Sequence, residues 1–261
     1  MQDYELLLEK GRRAMENGAF AQAVRAFRSA TEAAPEVPEG WRQLGEALSE
    51  EGAAAEAVAA LDKALALLPD DIDSLYLLGD ACFEARQPER ALSAYGRILA
   101  LDNAETDALV SQGLVFFSQD RLKEAEACYR RALEIEPESV FALNSLGDAA
   151  AAAGRFDEAI ACYRQVIRLD PEDPQGHYNL GELLFDQGEL AQAEKACREA
   201  LRLDPEFAFA HLTLGNICLD DEEPKEAVAH FREFLRLEKS PESADLRNEV
   251  AAVIDGLKDE G

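Results

Sequence analysis

Three histidines and five cysteines have the widest chemical repertoire in this 261-residue chain, and their spacing rules out the usual uses of both. Cys82, Cys128, Cys162, Cys197 and Cys218 nowhere form the C-x-x-C pair of a structural zinc site. Their odd number also argues against a disulfide framework. They read as reduced, mostly buried small apolar residues, which points to a cytoplasmic setting. His177 and His211 recur at one step of a repeat, where a large packing residue is expected, and His230 stands among charged residues and reads as surface. No carboxylate or cysteine set completes a metal site around them. Nucleophilic or acid–base catalysis needs a reactive group with an orienting partner, and the sequence singles out neither such a pair nor a glycosidase-like pair of acids. The expectation is no enzyme, no cofactor and no metal.

The acids point elsewhere. Asp and Glu number 53 against 26 Lys and Arg, for a net charge of −27. Such a chain repels phosphate backbones and anionic lipid surfaces, so nucleic acid and membranes are not expected as partners. No apolar run reaches the length of a membrane span, and the opening Met1-Gln2-Asp3-Tyr4-Glu5 has no secretory character. With 48% hydrophobic and 30% charged residues, the composition is that of a folded globular chain.

The elements that must position these side chains follow from a period of 34 residues. Gly11, Gly45, Gly79, Gly113, Gly147, Gly181 and Gly215 keep that step, as do Ala23, Ala57, Ala91, Ala125, Ala159, Ala193 and Ala227. Phe27, Leu61, Tyr95, Tyr129, Tyr163, Cys197 and Phe231 form a third series, and Pro35, Pro69, Pro137, Pro171 and Pro205 a fourth. These series define seven units, 4–37, 38–71, 72–105, 106–139, 140–173, 174–207 and 208–241. Within a unit, positions 4, 7, 8 and 11 make one helical stripe and positions 20, 24 and 27 a second, so each unit reads as a helical hairpin. Small residues at 8 and 20 allow close approach, and the larger residue at 24 fills the space beside them. Gly18, Gly52, Gly154 and Gly188, at position 15, suit a left-handed turn, while proline at 32 stops the second helix. Leu246, Val250, Val253, Ile254 and Leu257 share one stripe, which predicts a capping helix over 242–257 followed by a tail at 258–261.

Trp41-Arg42-Gln43-Leu44-Gly45 together with Ala57, Leu61, Ala64 and Pro69 resembles the signature of the tetratricopeptide repeat (TPR) family, and the match runs from residue 4 to 241. The resemblance implies an all-α, right-handed superhelical solenoid of helical hairpins whose first helices line the concave side. It also implies a protein-binding role, as a scaffold or adaptor.

Helix geometry then groups positions 2, 5, 9, 12 and 13 on the face opposite the packing stripe. Those positions supply Glu46, Tyr76, Asp80, Phe83, Glu84, Asp107, Leu114, Phe117, Phe141, Asn144, Asp148, Tyr178, Glu182, Phe185, Phe209 and Asn216 as the candidate groove. The first-helix segments of units three to seven carry nine acids and not one Lys or Arg, whereas the rest of those units carries seventeen bases. An acidic, aromatic-lined groove predicts a protein or peptide partner with a Lys/Arg-rich segment, held by charge and by cation–π contact.

Two other modes of binding fit these residues less well. A carboxylate clamp of the kind some TPR proteins use is missing as a set: Leu8, Arg12, Arg42, Glu46, Tyr76 and Asp80 occupy its positions, leaving only Arg12 and Arg42 to hold a carboxylate. Exposure of Leu6, Leu7 and Leu8 at the first unit offers an alternative role as a self-assembling scaffold, a homo-oligomer joined through solenoid ends. Gly96 inside a second helix and Asn103 in place of the stop proline mark the segment 96–112 as the expected soft point.

Overall fold

The computed structural model, which describes residues 2–259, turns the period into a succession of short helices. The chain divides into two compact units, residues 1–137 and 138–261. The first holds α1 (Gln2–Glu16), α2 (Phe20–Ala33), α3 (Pro38–Glu50), α4 (Ala54–Leu67), α5 (Ile72–Glu84), α6 (Pro88–Leu101), α7 (Thr106–Ser118) and α8 (Leu122–Ile135). The second holds α9 (Val140–Ala152), α10 (Phe156–Leu169), α11 (Pro174–Asp186), α12 (Leu190–Leu203), α13 (Ala208–Asp220), α14 (Pro224–Leu237) and α15 (Ala244–Asp259). Within each unit every helix packs on the next, and first helices of successive hairpins touch, α3 with α5 and α11 with α13.

The hairpins close where the sequence removes a side chain. A methyl group on Gly79 would stand 2.5 Å from the Tyr95 ring, and one on Gly147 would stand 2.6 Å from Tyr163. The same pairing recurs from Gly11 with Phe27 to Gly215 with Phe231. Glycine therefore sets the helix separation, and the facing side chain, a ring except for Leu61 opposite Gly45 and Cys197 opposite Gly181, fills what it leaves.

A left-handed residue follows each of α1, α3, α5, α7, α9, α11 and α13. Gly18, Gly52, Gly154 and Gly188 serve as expected, and Arg86, Asp120 and Glu222 adopt the same turn at φ 58–60°. Backbone bonding holds them there: the amide of Gln87 donates to the Cys82 carbonyl at 2.8 Å, as that of Ala19 does to Ala14. Second helices stop just before position 32. At Asn103, where proline is missing, α6 still ends at Leu101, and the Asp102 side chain accepts from the Ala104 amide at 2.9 Å, as Asp170 and Asp204 accept from the amides two residues on at turns that carry proline. α6 also runs unbroken through Gly96.

Two devices tie the carbonyl at position 32 to the next hairpin. Trp41 Nε1 donates to the Pro35 carbonyl at 2.9 Å, and His177 Nε2 and His211 Nε2 reach those of Pro171 and Pro205 at 3.1 and 3.4 Å. Where Leu75 and Leu109 replace the ring donor, Arg97 binds the Pro69 carbonyl and Arg131 that of Asn103. His177 and His211 thus serve as half-buried donors that tie down turns, a correction to their reading as packing residues. Ion pairs add a cross-strap between successive second helices, Arg28 to Glu56 at 2.8 Å and Arg90 to Asp62 at 2.6 Å.

Leu8 is buried at 2% exposure, whereas Leu6 on the same helix is 69% exposed, so the expected run of three exposed leucines reduces to one fully exposed residue. α15 packs on α14 with Val250 and Ile254 buried in a cluster with Phe231 and Phe234, while Val253 faces outward. That helix runs to Asp259, further than the expected 257, and the end of the predicted tail, 260–261, lies outside the described residues. Among the described residues no helix is long and apolar enough to cross a membrane.

Candidate functional site

The acids at position 9 are aimed by tyrosines rising from the hairpin core. Tyr95 donates its phenol proton to Asp80 Oδ1 at 2.5 Å, and Tyr163 donates to Asp148 Oδ1 at 2.6 Å. Glu182 accepts from Tyr178 at 2.6 Å. All three carboxylates remain exposed. Surrounding protein nevertheless displaces enough water to push the Asp80 and Asp148 carboxyls above their ordinary range, an effect the phenol bond partly offsets. Burial and the adjoining carboxylates push the Tyr95 and Tyr163 phenols up, so they stay protonated donors. Tyr95 and Tyr163 were not among the expected site residues. Their signal was present in the sequence as an acid at position 9 followed fifteen residues later by tyrosine at 24.

In the first unit, Phe83 is 39% exposed next to the exposed Glu84, Asp107 is exposed as well, and Leu114 and Phe117 are half-buried. Glu46, half-buried, accepts from Gln43 at 3.3 Å. Tyr76 turns toward Tyr95, with ring centroids 6.5 Å apart, and its hydroxyl donates to Glu105 at 3.3 Å. In the second unit, Phe141 is 55% exposed, two turns before Asp148 on α9, and Asn144 accepts from Asn179 at 3.4 Å. Phe185 and Asn216 are half-buried.

Two expected groove aromatics are committed to packing. Tyr178 is 8% exposed and stacks on Phe207 at 4.9 Å, and Phe209 meets Phe234 edge-on at 5.8 Å. Val110, also at position 5, is likewise buried. Position 5 therefore faces the neighbouring hairpin more than it faces a ligand, whereas positions 2, 9 and 13 carry most of the wet surface. Helix geometry groups these positions together, but how closely successive first helices approach decides which of them stays wet.

The cysteines sit in packing positions. Burial pushes the Cys128 thiol up to about 11 and the Cys197 thiol up to about 12, so neither is a thiolate at neutral pH. His230, expected at the surface, pairs with His211 at 3.0 Å between their Nδ1 atoms. Because His211 Nε2–H donates to Pro205, its Nδ1 is the acceptor, and His230 Nδ1–H is the donor. Burial lowers both affinities for a further proton, and His211 and Arg198 lower that of His230 further, against the opposing charge of Glu226. Glu233 and Arg236 act on His211 in opposite directions. Below the unfolded-state value of about 6.5, the unfolded chain takes up protons that the folded pair refuses, so stability falls with acidification. Thermal melts at pH 7.5 and 5.5 will show a lower midpoint at pH 5.5, and His230→Gln will reduce the difference.

Comparison with known proteins agrees with this architecture. Tetratricopeptide repeat families match residues 8–72 and 144–208, 48–112, and 105–172. No curated protein matches the chain. A solved tetratricopeptide repeat protein from Parabacteroides merdae is similar over 97% of this chain and 99% of its own, with 22% identity and a TM-score of 0.80. The structure of Pseudomonas aeruginosa pilF covers 82% of this chain and 96% of its own at 21% identity and TM-score 0.66. MamA covers 66% and 93% at 26% identity and TM-score 0.59.

Proposed function

We propose, for a chain that belongs to the tetratricopeptide repeat family and has the fold of a protein–protein interaction scaffold, that the first-helix faces bind a Lys/Arg-rich segment of a partner protein. The observation that carries the reading is the pair of tyrosine-aimed carboxylates, Asp80 beside exposed Phe83 and Asp148 in the same unit as exposed Phe141. A carboxylate fixed by a phenol presents charge without the entropy cost of ordering a mobile side chain. The exposed rings on the same helices, Phe83 one turn from Asp80 and Phe141 two turns from Asp148, offer apolar surface and a π face to an arginine or lysine. No Lys or Arg lies on α5, α7, α9, α11 or α13 to compete for those carboxylates. The function is binding rather than catalysis.

The test is fluorescence anisotropy with a labelled nona-arginine peptide and a nona-glutamine control. Arginine peptide binding will weaken steeply between low and high salt, because exposed charges are screened over about 8 Å at physiological ionic strength. The combined Asp80→Asn, Asp148→Asn and Glu182→Gln variant retains phenol acceptors and will lose about tenfold or more in affinity. Binding that ignores salt, or survives the triple change, rules the reading out.

A further inference from the structure

We propose that a second surface, the cleft between α10 and α12 in the 138–261 unit, takes an acidic amphipathic segment of a partner protein. The two helices flank α11, and the space between them encloses about 690 Å3. Leu180 and Leu184 of α11 form its floor, Arg164 and Arg168 of α10 one wall, and Lys195 and Ala196 of α12 the other.

Comparison with other hairpins shows what this cleft lacks. Position 25 of one hairpin and position 19 of the next carry the cross-straps Arg28–Glu56 and Asp62–Arg90. The latter spans the equivalent groove over Leu78, whose volume is about 160 Å3. At α10 and α12 those positions hold Arg164 and Gln192, a cation and a neutral amide, so no ion pair spans the cleft. Leu180 is also half-buried, whereas Leu44, Leu78, Leu146 and Leu214 at the same position are buried.

Charge identifies the occupant. In a chain with twice as many acids as bases, Arg164, Arg168 and Lys195 have no ion pair or hydrogen bond among the described residues. Glu199, the acid on the lining, is engaged by Arg202 at 2.9 Å. Three uncompensated cations around a leucine floor complement a segment whose carboxylates flank large apolar side chains. This surface lies on second helices as well as α11 and is of opposite sign to the first-helix faces, so it stands independently of the basic-partner reading.

The probe is a fluorescein-labelled peptide, EELLEELLEE, with its all-glutamine analogue QQLLQQLLQQ as control. The acidic peptide will bind the full chain at low salt, and the analogue will bind about tenfold or more weakly. Gln192→Glu places a carboxylate opposite Arg164 on an exposed position, in exchange for the bond that the Gln192 amide donates to Glu189 at 3.0 Å, so it will close the cleft and weaken the acidic peptide comparably. Arg168→Gln with Lys195→Gln will do the same by removing charge, whereas Asp148→Asn will not. Acidic binding equal to that of the analogue, or unaffected by Gln192→Glu, overturns the proposal. Self-association of the chain abolished by Gln192→Glu would place a second copy in the cleft and overturn it as well.

Discussion

Truncating Phe231 to alanine will destabilise the chain by about 3–5 kcal/mol, chiefly in α13, α14 and α15. The ring is 1% exposed and lies over Gly215, where it occupies space that no side chain of α13 can reach. It shares a cluster with Phe234, Val250 and Ile254, so one truncation loosens both the last hairpin and the helix that covers it. Stacked repeats communicate mainly through nearest neighbours, so the loss will be local before it is global. Urea unfolding will give the magnitude, and amide hydrogen exchange will show α13–α15 opening ahead of the preceding helices. Uniform loss of protection across 138–259 would contradict this account.

Gly79→Ala and Gly96→Ala, the same substitution in adjacent helices, will act with opposite signs. At Gly79 the new methyl meets the Tyr95 ring at 2.5 Å, and overpacking of this kind costs about 1–3 kcal/mol. At Gly96 it meets only Gln112 Nε2 at 3.9 Å, and removing a glycine from a helix interior gains about 0.5–1 kcal/mol. The first change also reaches the proposed binding face, because Tyr95 cannot yield to the methyl without withdrawing its hydroxyl from Asp80. Gly79→Ala will therefore lower both the unfolding free energy and the affinity for the arginine peptide, while Gly96→Ala raises the first and leaves the second unchanged. A destabilised Gly96→Ala would place a constraint on α6 that the space around it does not show.

Much of the hairpin architecture was legible because it depends on side-chain size at fixed spacing. Glycine opposite a ring and a small residue opposite a close helix are steric requirements, and they leave their mark in residue type. Turn conformation was legible only in part. Four glycines announced the left-handed residue, but Arg86, Asp120 and Glu222 adopt it through backbone hydrogen bonds that any residue can make, at some cost in strain. α6 likewise stops at Leu101 without a proline, at a turn where the Asp102 side chain accepts from the Ala104 amide.

The site divides along the same line. The 34-residue period alone determined which residues belong to first helices, that those helices carry acids without bases from the third unit onward, and that position 8 must be small. Only the packed structure decided that Tyr178 is spent on Phe207, that Tyr95 and Tyr163 aim the acids, and that His211 and His230 share a proton-bearing contact. It also decided that Leu180 stays half-buried at the floor of an open cleft. The physical reason is range. Periodicity records constraints within one helix or between the two helices of one hairpin, whereas exposure, aim and pairing depend on how far one hairpin leans on the next, a distance set by the sum of many side chains.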